Sequence, residues 1–175
     1  GQGLIQLYHY DSLFETVHTS HPVRCFCEDE DGNILIGTKG SGIKLLNPAT
    51  KELTDYLNES KGLISNSVYA LRRNKANDIF IGTEGTGINI LNAATGRLEK
   101  LEIPDKYPPF KAVYNIYFTN NDSLLWVGTS GYGLIKINIS REQGRYHVKG
   151  FRQYNSSDKN ISLNNDVVYA ITSDP

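Results

Sequence analysis

Several things are scarce in this sequence, and each scarcity removes a class of function. Charge of one sign is not in excess: 18 Lys and Arg face 19 Asp and Glu, for a formal net charge of -1. A nucleic-acid surface needs clustered cations that displace counterions from phosphate. Here Lys51, Lys61, Arg72, Arg73 and Lys75 are scattered among acidic neighbours. No apolar run approaches the roughly 18 residues that carry a helix across a bilayer. No charged start followed by an apolar stretch marks a signal peptide, so an export signal is expected outside these residues. Neither nucleic-acid nor membrane contact is expected of the segment.

Cysteine is equally sparse. Cys25 and Cys27 stand two apart in Val23-Arg24-Cys25-Phe26-Cys27. Residues i and i+2 of a strand place their Cα atoms roughly 6.5–7 Å apart, at or beyond the reach of an ordinary disulfide. No bridge is expected, and the redox compartment is not readable from cysteine usage. A helical period of 3.6 with caps is also missing.

What is present is one motif in triplicate. Gly37-Thr38-Lys39-Gly40-Ser41-Gly42-Ile43, Gly82-Thr83-Glu84-Gly85-Thr86-Gly87-Ile88 and Gly128-Thr129-Ser130-Gly131-Tyr132-Gly133-Leu134 lie 45 and then 46 residues apart. A fixed period of that size marks a repeat architecture. Aligning the chain on itself brings Val23, Val68, Val113 and Val168 into register. Val68-Tyr69-Ala70-Leu71, Val113-Tyr114-Asn115-Ile116 and Val168-Tyr169-Ala170-Ile171 are apolar on both parities, as strands covered on both faces are. These begin each unit as strand a.

An Asp/Asn/Gly turn follows, then strand b (34–38, 79–83, 124–129), the glycine signature, and strand c (42–47, 87–92, 133–138). A weaker strand d is placed near 52–56, 97–101 and 148–154. Four short antiparallel strands per repeat predict an all-β fold, a β-propeller fragment of about four four-stranded blades. The units run approximately 1–18 (partial), 23–56, 68–101, 113–154 and 166–175 (partial). Gly1–Leu7 reads as the tail of a signature plus strand c of an earlier blade, and Asp166–Ser173 as strand a of a later one. Two leading strands, twelve in three complete blades and one trailing strand make fifteen. Propellers close on themselves to protect their edges, so the expected partners are further blades or a second copy of the chain. Chain direction puts the glycine loops and the d–a linkers (58–66, 104–110, 156–166) on one face. Extra residues around Arg141–His147 are expected to lengthen the c–d turn of the third blade on the opposite face.

The residues resemble a known repeat. V-Y-A-L, a polar turn, [L/I]-W-[I/V]-G-T-x-G-x-G-[L/I] and the linker Gly62-Leu63-Ile64-Ser65-Asn66-Ser67-Val68 are similar to the two-component regulator propeller repeat. The likeness covers essentially the whole chain. Leu35 and Phe80 stand where that repeat carries Trp, and an Asn-rich stretch replaces the counterpart of Gly62 in the last linker. The resemblance implies an extracytoplasmic, periplasmic sensor region of a membrane-bound histidine kinase, often a hybrid kinase. In glycan-degrading gut bacteria many such sensors recognise oligosaccharides.

Other readings of the motifs are weaker. A dinucleotide loop needs G-x-G-x-x-G between a strand and a helix, whereas here a strand follows. The glycines Gly37, Gly40, Gly42, Gly82, Gly85, Gly87, Gly128, Gly131 and Gly133 are expected to serve a tight b–c turn, through positive φ and close backbone approach. His18, His21, Cys25 and Cys27 are zinc-ligand types. Yet Cys25 aligns with Ala70, Asn115 and Ala170, where a small residue suffices, so neither a metal nor another cofactor is expected. Glu28, Asp29 and Asp31 lie in a turn that differs in the other blades, and no Ser or Cys nucleophile with a partnered His is apparent. No catalytic residue is assigned.

The ligand-binding candidates are the variable signature positions and adjoining linker residues: Tyr132, Ser130, Lys39, Ser41, Glu84, Thr86, Asn66 and Tyr107. Aromatic and amide side chains offer stacking faces and donor–acceptor pairs to a sugar. Tyr132 leads, because an aromatic at a loop tip exposes apolar area unless something covers it. The expectation is a sensor propeller binding a glycan-derived or other small extracellular ligand. The alternatives are a protein-interaction propeller with no small ligand, or a propeller lyase or hydrolase.

Overall fold

The computed structural model describes residues 3–9, 12–159 and 161–173. Among these, regular structure is β apart from one 3-10 turn, Glu59–Lys61. A hairpin leads: β1 (Gly3–His9) and β2 (Ser12–Thr19). Three four-stranded antiparallel sheets follow, each a simple meander. The first is β3 (Val23–Glu28), β4 (Ile34–Thr38), β5 (Ile43–Leu46) and β6 (Leu53–Leu57). The second is β7 (Val68–Arg73), β8 (Ile79–Thr83), β9 (Ile88–Leu91) and β10 (Leu98–Lys100). The third is β11 (Val113–Thr119), β12 (Leu124–Thr129), β13 (Leu134–Glu142) and β14 (Arg145–Tyr154). This is the propeller blade, three times over.

Strands alternate their side chains between two faces, and both faces of the second sheet are apolar because it is sandwiched between the first and the third. Leu35 and Ile43, with Cys25 and Cys27 beside them, pack against Val68, Leu71, Ile79, Ile81 and Leu91 of the second sheet. The other face of that sheet, with Ala70, Phe80, Ile88 and Ile90, packs against Val113, Ile116, Leu125 and Val127 of the third. Phe80 anchors this seam, edge-on to Phe118 at 4.9 Å and to Tyr146 at 5.0 Å. Phe26 is 52% exposed, whereas its repeat counterparts Leu71 and Ile116 are 8% and 4% exposed. Those two have a preceding four-stranded sheet to pack on, and Phe26 does not.

The signature is a clamp made of backbone. The wholly buried Thr38 and Thr129 donate their hydroxyls to the carbonyls of Gly42 and Gly133, both at 2.8 Å. The amides of Gly40 and Gly42 donate to the carbonyl of Asn66, and those of Gly131 and Gly133 to Asp166. Gly87 does the same to Phe110 at 3.0 Å. Glycine loops and d–a linkers therefore share a face and are tied to each other. Gly42 has φ 69°, and a Cβ there would collide with the Leu57 carbonyl. Gly82 is needed for a different reason: Val113 of the next sheet presses on it, with the Val113 oxygen 2.8 Å from where a Cβ would stand.

Two expectations are corrected. The residues around Arg141–His147 do not lengthen a turn; they extend β13 and β14, which pair from Leu134↔Tyr154 to Glu142↔Arg145. Only Gln143 and Gly144 turn, at φ 51° and 80°. Two consecutive positive φ values match the right-handed twist of the strands they join, so the hairpin continues instead of opening. Asp166–Ser173 forms no strand; its ladder pairing is the isolated bridge Ser130↔Val167, beside the backbone bonds from Val168 to Thr129 and from Gly131 and Gly133 to Asp166. Val168 still sits over Gly128 as Val68 and Val113 sit over Gly37 and Gly82. Gly1 and Gln2, the start of the leading signature tail, lie outside the described residues.

Candidate ligand site on the signature-loop face

Each strand a carries a bulge at its second residue. Val23 pairs with Thr38 and Cys25 with Gly37, leaving Arg24 between them without a partner. Tyr69 is skipped in the same way between Val68 and Ala70, and Tyr114 between Val113 and Asn115. A bulge re-aims a side chain out of the strict alternation of a strand. Strands β3, β7 and β11 lie side by side, so the re-aimed side chains converge.

Their convergence builds a ladder. Tyr69 meets Tyr114 edge-to-face at 5.0 Å, and Tyr114 stacks on Tyr169 at 5.3 Å with the rings 8° from parallel. Both arrangements satisfy the ring quadrupoles. With Arg24 and Lys39 the three tyrosines line a cavity of about 300 Å³. Burial pushes the Tyr69 phenol up, and the Glu84 carboxylate nearby adds to the effect. Tyr169 is 73% exposed, a large area of aromatic surface left uncovered. Such a surface, with cations at its edge, can stack a flat apolar face and hold an anion beside it.

A second hollow, of about 340 Å³, lies on the opposite face between the a–b turns of the second and third sheets. Its polar groups already hold one another. Lys75 donates its amide to Asp122 and its ammonium to Asn121, both at 2.6 Å. The tyrosine cavity is the better candidate because Tyr169, stacked on Tyr114 by one face, leaves most of its surface uncovered there.

The sequence-derived candidates separate on inspection. Lys39 lines the cavity and Glu84 stands close to Tyr69. Thr86 is exposed and bridges Lys111, away from the ladder's lining residues. Ser41 donates its amide to Thr38 Oγ1 at 3.1 Å, and the Ser130 amide donates to Ala112. Asn66 is a linker bracket: its Oδ1 accepts the Glu59 amide at 2.9 Å while its own amide donates to Glu59 Oε1 at 2.8 Å. Tyr107 stacks on Phe151 at 4.9 Å. Tyr132 is not an uncovered loop tip. Its ring is half-buried against the core of the third sheet, and its carbonyl accepts Gln153 Nε2 at 2.8 Å. Arg24, Tyr69, Tyr114 and Tyr169 were not among the candidates. The recurring V-Y pair was visible as strand pattern, but the bulge that turns the tyrosine outward was not.

Both cysteines are free thiols, and burial raises them, Cys25 to about 12. The described residues contain no group of three His, Cys, Asp or Glu placed to hold a metal. No helix among them is long and apolar enough to cross a membrane.

Residues 19–40 match the family model described as two component regulator propeller. That segment carries the repeat. No curated protein matches the sequence. Among solved structures, one similar fold is the extracellular domain of a protein described as a hybrid two component system from B. thetaiotaomicron. It has 24% identity and a TM-score of 0.62, over 81% of this chain and 19% of that one. A second, from the same organism and described as a one component system, has 19% identity and a TM-score of 0.63, over 98% and 27%. Catalytically inactive virginiamycin B lyase from Staphylococcus aureus shares the fold too, with 16% identity and a TM-score of 0.57, over 83% and 47%. The chain thus spans about a fifth to a quarter of the length of the two B. thetaiotaomicron domains. Regulator-propeller blades and lyase blades have the same architecture, and the architecture alone does not choose between them.

Proposed function

We propose that this chain is part of the extracytoplasmic, periplasmic sensor propeller of a two-component signalling protein. It takes a small ligand of glycan origin on the tyrosine ladder, and a histidine kinase outside these residues receives the signal. The observation that carries this reading is the convergence of Tyr69, Tyr114 and Tyr169 around one open cavity on the signature-loop face. The repeat at 19–40 and the extracellular domains of similar fold support the sensor context.

The chemistry is that of sugar recognition. A pyranose has an apolar C–H face that stacks on an aromatic ring, and hydroxyls that exchange hydrogen bonds with phenols and amides. The four residues at the second position of strand a come from four successive repeats. A ligand lying across them touches several blades at once, so its binding energy bears on how those blades sit together. No step of bond cleavage is assigned.

Calorimetric titration against a panel of oligosaccharides tests the reading. A saturable heat for at least one member, lost in Tyr114→Ala, is the expected result. Silence across the panel overturns it, and turnover of any bound sugar overturns the non-catalytic role.

A further inference from the structure

The lining of the tyrosine cavity carries charge of one sign only. Its five residues are three tyrosines and two cations, Arg24 from the first bulge and Lys39 from the first signature loop. Both cations are exposed on the same rim. The repeats do not require this: the counterparts of Arg24 are tyrosines, and those of Lys39 are Glu84 and Ser130. The first blade alone places a cation at both positions, and the two meet at one end of the ladder.

We propose that the ladder selects an acidic sugar, a pyranose bearing a carboxylate or a sulfate ester. The inference rests on the sensor reading above and specifies its ligand class. The ring lies on the tyrosine faces and the anion points to the first blade. Arg24 offers a planar fork of N–H donors that matches two oxygens of a carboxylate or sulfate, and Lys39 adds a point charge beside it. Glu84 sets the orientation. It stands near Tyr69 without lining the cavity, and its charge keeps the anion to the Arg24–Lys39 end.

The position of Arg24 gives the rim a second property. The guanidinium lies close enough to Tyr69 to favour the ionised phenol, opposing the effect of Glu84. An anion that pairs with Arg24 weakens that influence, so ligand binding should push Tyr69 further up. A neutral sugar has no such effect.

The test uses the whole chain and three probes of matched length: an oligogalacturonide, a sulfated galacto-oligosaccharide and a neutral galacto-oligosaccharide. One acidic probe should bind roughly tenfold or more tightly than the neutral one, as charge-assisted hydrogen bonds over neutral ones imply. Arg24→Gln and Lys39→Gln, both at exposed positions, should each erase roughly three- to tenfold of that preference. Added salt should weaken the acidic probe alone. Which acidic probe wins tells carboxylate from sulfate. Equal binding of all three, with both variants silent, overturns the acidic preference while the glycan reading stands. Failure of every probe together with silence across the wider panel overturns both.

Discussion

Tyr146 donates its phenol proton to Asp78 Oδ2 at 2.7 Å across the seam between the second and third sheets. Asp78 is wholly buried in the a–b turn of the second sheet, and Tyr146 arrives from the extended hairpin of the third. Arg141 Nη2 stands 3.1 Å from the same oxygen. Asp78 Oδ1 accepts the Ala93 amide at 2.8 Å, and Asn74 Nδ2 donates to the Tyr146 oxygen at 2.6 Å. A buried carboxylate is tolerable only when its lone pairs are met. Here the third sheet supplies both partners of Oδ2, Tyr146 and Arg141, so the lock orders two blades relative to each other.

Tyr146→Phe removes the hydroxyl and keeps the ring edge against Phe80. Asp78, itself wholly buried, then loses one of its donors. Hydrogen bonds to charged groups are worth about 1.5–3 kcal/mol each, and a loss of that size is expected in urea denaturation. Asp78→Ala should cost more than Tyr146→Phe, because it frees Tyr146, Arg141 and the Ala93 amide together.

The same lock predicts a loss of stability in alkali. Burial and the hydrogen bond to Asp78 push the Tyr146 phenol from 10 to about 12. Below pH 10 both folded and unfolded chains hold the proton, and the contribution is fully present. Between pH 10 and about 12 the unfolded chain gives up its proton first, so stability falls as pH rises. The wild type should therefore destabilise more steeply through this window than Tyr146→Phe. Tyr56, Tyr69 and Cys25 are raised as well, so the variant should flatten the profile without abolishing its slope. Equal slopes in the two proteins would show that the phenol–carboxylate bond is not the source.

How much of this was legible in the sequence differs from place to place. The blades were, because the signature has backbone reasons to recur: Thr38 and Thr129 bond their loops, and Gly42 and Gly133 sit where a side chain would meet a carbonyl. The Arg141–His147 hairpin was not. Arg-Glu-Gln-Gly-Arg is polar enough to read as loop, and only the pairing with a partner strand makes it β. The Asp166–Ser173 segment failed in the opposite direction: its strand-like pattern forms only the isolated bridge Ser130↔Val167. The ladder tyrosines were visible as recurring Val-Tyr pairs, but their direction depends on a bulge, which belongs to the register of two strands and not to either one. Tyr132 misled for a similar reason: its cover comes from the third sheet's core.

Glycines with positive φ should not be equivalent. Gly96 has φ 65° and open space around it, whereas Gly42 has φ 69° and the Leu57 carbonyl in the way. Gly96→Ala should cost only the left-handed backbone penalty, about 1–2 kcal/mol. Gly42→Ala adds an overlap with main chain that cannot swing aside, on the overpacking scale of about 1–3 kcal/mol more. Its amide also bonds Asn66 of the next linker, so the damage reaches the blade junction. Paired denaturation curves that give the same loss for both would mean the Leu57 contact relaxes freely.

The cysteines offer a measurement on the seam between the first and second sheets. Cys25 Sγ lies 4.0 Å from the Val68 carbonyl, and burial holds its thiol up at about 12. Cys27 is also raised, with burial the first cause, although Arg73 and Arg72 oppose it. Nucleophilic attack needs the thiolate, so at mildly alkaline pH the folded chain should react slowly with a thiol-specific disulfide reagent. Cys27, the less enclosed of the two, should react first. Denaturant should release both at the rate of ordinary thiols. If the seam opens by local separation of the first sheet, Cys25 should show a reaction rate that plateaus with reagent concentration, which reports the opening rate itself. A Cys25 that reacts at the unfolded rate under native conditions would mean that the first and second sheets are not packed as Leu35, Val68 and Ile81 require.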